Sequence, residues 1–164
     1  MNSRRTFTLG LLASLTPAGG VLGQASSWRV GDAVKLPPLT LLNGQPVDWA
    51  ALKGKVIALE FWGSWCPFCS RQNPVLDRLY KANQARGLEV ITISLDKTVD
   101  VAQQYMKKGG YSFKAGMVTP EWGAIYKQRR GLPQLFVIDR QGRLAMIEVR
   151  EMLEDELLEI ARFL

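Results

Sequence analysis

The chain has 164 residues, which suits one domain with a real core, and its 47% hydrophobic and 22% charged content is that of an ordinary water-facing globular protein. It contains no histidine, so a Ser-His-Asp triad, an imidazole base and a His-ligated metal are all excluded. The formal charge of +6 is spread over scattered basic residues rather than one dense stripe, which argues for a solvated surface and against a nucleic-acid partner.

The opening "MNSRRTFTLGLLASLTPAGGVLGQASS" places two arginines before an apolar run that Pro17, Gly19 and Gly20 interrupt. Small residues follow at Gly23-Gln24-Ala25. This is the three-part layout of an export signal, predicted over residues 1–25, with the domain proper over 26–164. "SRRTF" resembles the twin-arginine export signal, although Thr8 and Leu9 depart from its last two positions. An uncleaved anchor is the alternative, but the run is shorter than a comfortable span. Removal of residues 1–25 takes two of 21 basic residues and no acidic one, leaving 19 against 15 and a net charge of +4. Export places any cysteine pair where a disulfide can persist.

Residues 26–38 read as extended, because Pro37-Pro38 discourages a helix. "LTLLNGQPV" predicts two short strands about an Asn43-Gly44 turn, and Asp48 caps a brief helical turn. "VIALEFW" (56–62) reads as a central strand covered on both faces. A helix is predicted over 67–86, with Val75, Leu76, Leu79 and Tyr80 as its apolar stripe and Gly87 as its stop. "LEVITISLD" (88–96) is the next strand. A second helix follows, capped by Thr98 and ended by Gly109-Gly110. Residues 111–120 read as irregular or a short strand, and 121–129 as helix. "QLFVID", the turn "DRQGR" and "LAMIEV" form a hairpin, and "LEDELLEIARFL" closes the chain as an amphipathic helix. Such an order predicts a mixed α/β sheet with helices on its faces.

The only two cysteines lie in "FWGSWCPFCS" as Cys66 and Cys69. Zinc needs three or four protein ligands, and two thiols with no histidine do not supply them. A structural bridge over so short a loop removes little entropy from the unfolded chain. A redox dithiol explains both count and setting. A strand ends at Trp62, and Cys66 falls at a helix start with Pro67 at the first position, where no hydrogen bond is lost. The helix dipole and free N–H groups there favour thiolate, the nucleophilic form. Cys69, one turn deeper, is placed to attack a mixed disulfide on Cys66. No cofactor or metal is called for.

"GKVIALEFWGSWCPFCSRQNP" resembles the active-site region of the thioredoxin superfamily, and more narrowly the TlpA/ResA-like exported redoxins. "PPLTLLNGQPVDWAALKGK" resembles that family's N-terminal hairpin, and "GLPQLFVIDRQGR" its later G-x-P segment. The resemblance spans about residues 36–150 and implies a thioredoxin-like fold with an N-terminal β-hairpin extension. It implies Cys66 as attacking and Cys69 as resolving cysteine, and Pro133 as a cis-proline beside the dithiol. Leu132 and Pro133 would then offer backbone to an extended partner chain. Pro74 matches the proline that kinks the active-site helix, and Gln134 stands where the family often has Thr.

Glu60 lies in an apolar strand, on one face with Val56, Ala58 and Trp62, where an unpaired carboxylate is costly. The thioredoxin likeness implies a buried acid there that exchanges protons with the resolving cysteine. The bland alternative is a carboxylate that reaches solvent or a lysine. Trp65 and Phe68 flank the sulfurs and are expected to be partly exposed as an apolar contact surface; Trp62 is expected in the core, and Trp49 and Trp122 in packing.

Together these readings make the chain an exported, periplasmic-type thiol–disulfide oxidoreductase. It would be a monomer, would act on protein disulfides or thiols, and would draw electrons from a membrane thiol donor. The resemblance favours a reductant, for example of cytochrome c haem-attachment cysteines or of copper-site assembly proteins. A general oxidant, a thiol peroxidase and a chaperone or metallochaperone are the rivals. Peroxidases of this fold carry Thr or Ser three residues before the cysteine, where this chain has Gly63.

Overall fold

A computed structural model describes residues 28–164; the export-signal reading falls outside them. Five strands form one mixed sheet in the order β3-β2-β1-β4-β5. They are β1 Val56–Trp62, β2 Leu88–Ser94, β3 Lys114–Met117, β4 Gln134–Ile138 and β5 Leu144–Glu148. β1 runs parallel to β2 and antiparallel to β4, and β4–β5 is the predicted hairpin. β1 is buried along its whole length, as its apolar run predicts.

Alternation along β1 divides the core. Ile57, Leu59 and Phe61 pack with Trp28, Leu39, Trp122 and Phe136 on one face. Val56 and Ala58 pack on the other with Leu76, Leu79, Val90, Leu157 and Ile160. Helix α1 (Pro67–Asn83) and the C-terminal α4 (Glu154–Leu158) supply that second face. Met106 of α2 (Val99–Gly109) packs against it as well. Helix α3 (Pro120–Tyr126) and the chain before β1 cover the first face. Both uncertain tryptophans are accounted for there: Trp122 is fully buried, and Trp49 and Trp122 donate Nε1–H to the carbonyls of Pro37 and Pro38 at 2.9 and 3.0 Å.

The N-terminal hairpin is present but short. Three bonds shape it: Leu41 N–H to Gln45 O, Gly44 N–H to Leu41 O, and Val47 N–H to Leu39 O. It lies on the edge of β3, where Leu42 N–H bonds Ala115 O. Gly116 permits that approach, since a Cβ there would sit 2.6 Å from Thr40 O.

Three helix ends differ from expectation. α1 stops at Asn83, whose side chain donates to Leu79 O, and a 3-10 turn carries the chain to Gly87 in the left-handed region. α3 ends at Tyr126 rather than 129, because Gln134 Nε2 takes the carbonyls of Tyr126, Arg129 and Gly131 at 3.1–3.2 Å. The last helix is α over Glu154–Leu158 and 3-10 over Glu159–Phe163. No helix among the described residues is long and apolar enough to cross a membrane.

Candidate active site

The site grows from the carboxyl end of β1. After Trp62 the chain turns through Gly63-Ser64-Trp65 and enters α1, with Cys66 as its N-cap and Pro67 at the first helical position. The Cys69 N–H donates to Cys66 Sγ at 3.2 Å, and the two cysteines are joined as a disulfide. One of α1's unpaired N–H groups therefore points at the sulfur, which is the arrangement that stabilises a thiolate once the bridge opens. Cys66 keeps 3% of its surface and Cys69 none. Trp65 and Phe68 stand out at 64% and 49% exposure. The Trp65 ring lies back over Gly63, and the Arg71 guanidinium covers Phe68 at 4.9 Å while pairing with Glu151.

Leu132 packs against the cluster formed by Trp62, Cys66 and Cys69. The Leu132–Pro133 bond is cis, and Pro133 is buried immediately before β4. The antiparallel register pairs Phe61 with Gln134, so Pro133 stands beside the strand end from which the cysteine turn departs.

Glu60 has no exposed surface, and among the described residues no lysine or arginine pairs with it. The alternative in which its carboxylate reaches solvent or a lysine therefore fails. Its partners are two amides of α1. Gln72 Nε2 donates to Oε1 at 2.8 Å, and Gln72 Oε1 accepts the Met152 N–H at 2.7 Å. One end of the Asn73 amide lies 2.9 Å from Glu60 Oε2 and 3.3 Å from the Cys69 carbonyl oxygen, and its other end 3.1 Å from the Tyr105 hydroxyl. With nitrogen toward Glu60 it donates to both oxygens, and with oxygen toward Glu60 its Nδ2 donates to Tyr105 Oη. Burial pushes the Glu60 carboxyl up to about 8, and the Gln72 hydrogen bond opposes it in part.

Several supporting residues escape a reading by motif. Asp96 accepts from Ser64 N–H at 3.2 Å, from Ser64 Oγ at 2.8 Å and from Ser94 Oγ at 2.8 Å, which ties the turn before Cys66 to the end of β2. Tyr105 stacks on Trp62 at 4.6 Å, and Trp62 Nε1–H donates to Thr92 Oγ1 at 2.9 Å. Gln72 and Asn73 did leave a signal. They lie three and four residues after Cys69, on a buried helix face where the stripe demands apolar groups. No group of three or more metal-ligating side chains occurs among the described residues.

Known proteins resemble this chain in sequence and in fold. The Redoxin family profile matches residues 29–161. The thiol-disulfide oxidoreductase ResA of Bacillus cereus is 27% identical over 150 residues, covering 86% of this chain and 84% of that one. The ResA of Halalkalibacterium halodurans is 26% identical and covers 99% and 98%. Among solved structures, a thiol:disulfide interchange protein of Chlorobium tepidum superposes with a TM-score of 0.71 at 25% identity, over 85% of this chain and 97% of its own. A secreted Mycobacterium tuberculosis disulfide oxidoreductase gives 0.67 at 26% identity, over 78% and 96%. With its Cys66–Cys69 pair at the head of α1 on a thioredoxin-like sheet, the chain belongs to the Redoxin family and is a thiol–disulfide oxidoreductase.

Proposed function

We propose that the protein is an exported, monomeric reductant of disulfides in other proteins, with Cys66 as nucleophile, Cys69 as resolving thiol and Glu60 as the proton acceptor for Cys69. The observation that carries this is the N-cap geometry: a helix N–H aimed at Cys66 Sγ, and Cys69 buried behind it. In the reduced protein the Cys66 thiolate attacks one sulfur of a substrate disulfide, and the other substrate sulfur leaves as thiolate. Cys69 then gives its proton to the Glu60 carboxylate and attacks Cys66 Sγ. The enzyme disulfide forms, the second substrate sulfur departs, and two protons complete the substrate dithiol. Glu60 returns its proton when the enzyme disulfide is reduced again.

Trp65, Phe68, Leu132 and Pro133 form the surface that receives the partner chain, the two aromatics because they are exposed apolar groups beside the sulfurs. A membrane thiol protein supplies the electrons. Residues 1–25 direct export, a reading supported by their layout and by the secreted Mycobacterium neighbour. The substrate class is the haem-attachment disulfide of cytochrome c precursors or that of a copper-site assembly protein.

Trapping tests this. Cys69→Ser keeps the nucleophile and removes the resolving thiol, so mixed disulfides should accumulate and dithiothreitol should release a discrete set of exported proteins. Cys66→Ser should trap few or none. Cytochrome c precursors or copper-site proteins among the captured set support the dedicated reductase. A broad mixture of exported proteins would replace it with a general oxidant, and equal trapping by both variants would overturn the division of labour between the sulfurs.

A further inference from the structure

A buried carboxylic acid held between two N–H donors gains, on protonation, an O–H that needs an acceptor, and neither N–H provides one. Glu60 is in that position. Oε1 receives Gln72 Nε2–H at 2.8 Å, and Oε2 receives the Asn73 amide across 2.9 Å when the amide nitrogen faces it. In that orientation both oxygens are served and neither is exposed, which suits the ionised acid. The new O–H gains an acceptor when one of the two amides turns and offers its oxygen.

The two amides are held differently. Gln72 cannot turn, because its Oε1 accepts the buried Met152 N–H at 2.7 Å and turning would set two N–H groups against each other. Asn73 is bounded on its far side by the Tyr105 hydroxyl, which both donates and accepts. In one orientation the Tyr105 O–H donates to the Asn73 oxygen; with the amide turned, Asn73 Nδ2 donates to Tyr105 Oη across the same 3.1 Å. Burial raises the Tyr105 phenol, so it stays an O–H through the neutral range. Trp62, stacked on its ring, keeps it in place.

We infer that the Asn73 amide is a protonation-linked switch: it turns when Glu60 gains a proton and turns back when Glu60 loses it. The turned state exchanges the N–H contact to the Cys69 carbonyl oxygen for two facing oxygens 3.3 Å apart, a cost that the O–H bond from protonated Glu60 offsets. Glu60 protonation is thereby communicated to the backbone of the resolving cysteine itself. Asn73 is thus a positioning residue. Its consequence for catalysis rests on the Glu60 reading above; the switch itself does not. The other groups against Glu60 do not compete for its proton in the oxidised protein. The sulfurs of Cys66 and Cys69 are in the disulfide, Thr92 and Leu135 flank Glu60 in β2 and β4, and Tyr105 is the remaining titratable side chain. Burial holds the Glu60 carboxyl near 8, so the switch operates close to neutral pH.

Side-chain nuclear magnetic resonance on the oxidised full-length protein tests it. The Glu60 carboxyl carbon and the side-chain NH₂ groups of Asn73 and Gln72 are followed from pH 5 to 10. The Asn73 NH₂ should titrate with the Glu60 midpoint and with a large shift, and Gln72 should move little. Asn73→Leu removes the Asn73 bond from both protonation states and should raise the Glu60 midpoint by about one pH unit, the difference between a hydrogen bond to a charged group and one to a neutral group. Asn73 resonances that stay flat while Glu60 titrates, or a larger shift in Gln72, would overturn the switch, and this reading needs no variant to fold. The Glu60 reading fails on a separate result: unchanged resolution rates in Glu60→Gln during single-turnover exchange.

Discussion

Glu60→Gln is expected to stabilise the oxidised protein, and to do so increasingly as pH rises. The folded carboxyl titrates at about 8, against an ordinary 4.5 in the unfolded chain, because burial disfavours its charge. The sign follows from proton binding. Between those two values the folded state holds a proton that the unfolded state has released, so raising the pH favours unfolding. Stability from this group is intact below about pH 4.5 and is lost progressively until the pH passes about 8. The gap is about 3.5 pH units, 8 less 4.5, and each is worth about 1.4 kcal/mol, so the loss has an upper bound of about 5 kcal/mol. Glutamine cannot ionise, and its amide can use the same two neighbours, with Asn73 turned to accept. Urea unfolding at pH 5, 6.5 and 8.5, with the disulfide intact in both proteins, checks this. The wild type should lose about 3–4 kcal/mol relative to the variant across that range. Parallel stability curves would refute the argument, because they would mean that Glu60 ionises in the folded state as readily as in water.

Reduced Cys66 should titrate well below the roughly 8.5 of a free thiol and be the first sulfur alkylated, as measured by ultraviolet thiolate absorbance and peptide mapping; a value near 8.5 contradicts the N-cap argument. Asp96→Ala should strand the Ser64 N–H, loosen the turn before Cys66 and lower stability by about 2–4 kcal/mol in urea unfolding, with slower thiol exchange, whereas equal exchange rates would make Asp96 purely structural. Gln134→Leu removes the side-chain donor shared by three carbonyls of the 126–131 segment and should speed amide hydrogen exchange there without altering α1.

Much of this protein is decided locally and is legible along the chain. The apolar run of β1, the N-cap role of Thr98, the left-handed stop at Gly87 and the Pro67 entry to α1 each depend on residues within a turn or two. The cysteine pair belongs to the same class, since its spacing and its place between strand and helix are local facts. The awkwardness of Glu60 is also visible from alternation alone.

What answers that awkwardness is not visible, because it comes from far along the chain. Glu60 meets Gln72 and Asn73 only once α1 packs on β1, and those two residues are held in turn by Met152 and Tyr105, 80 and 32 positions away from them. Asp96 reaches Ser64 because β1 and β2 run parallel in register and end together. Gln134 ends α3 by drawing on carbonyls that a helix would otherwise use. The sequence alone determined β1, β2, the β4–β5 hairpin, the helix starts and the dithiol, because these follow from periodicity and backbone capping, while it leaves β3 open between a short strand and irregular chain. Only the tertiary structure decided which polar groups share the buried end of β1, because a desolvated carboxyl takes whichever hydrogen bonds the packing brings within reach.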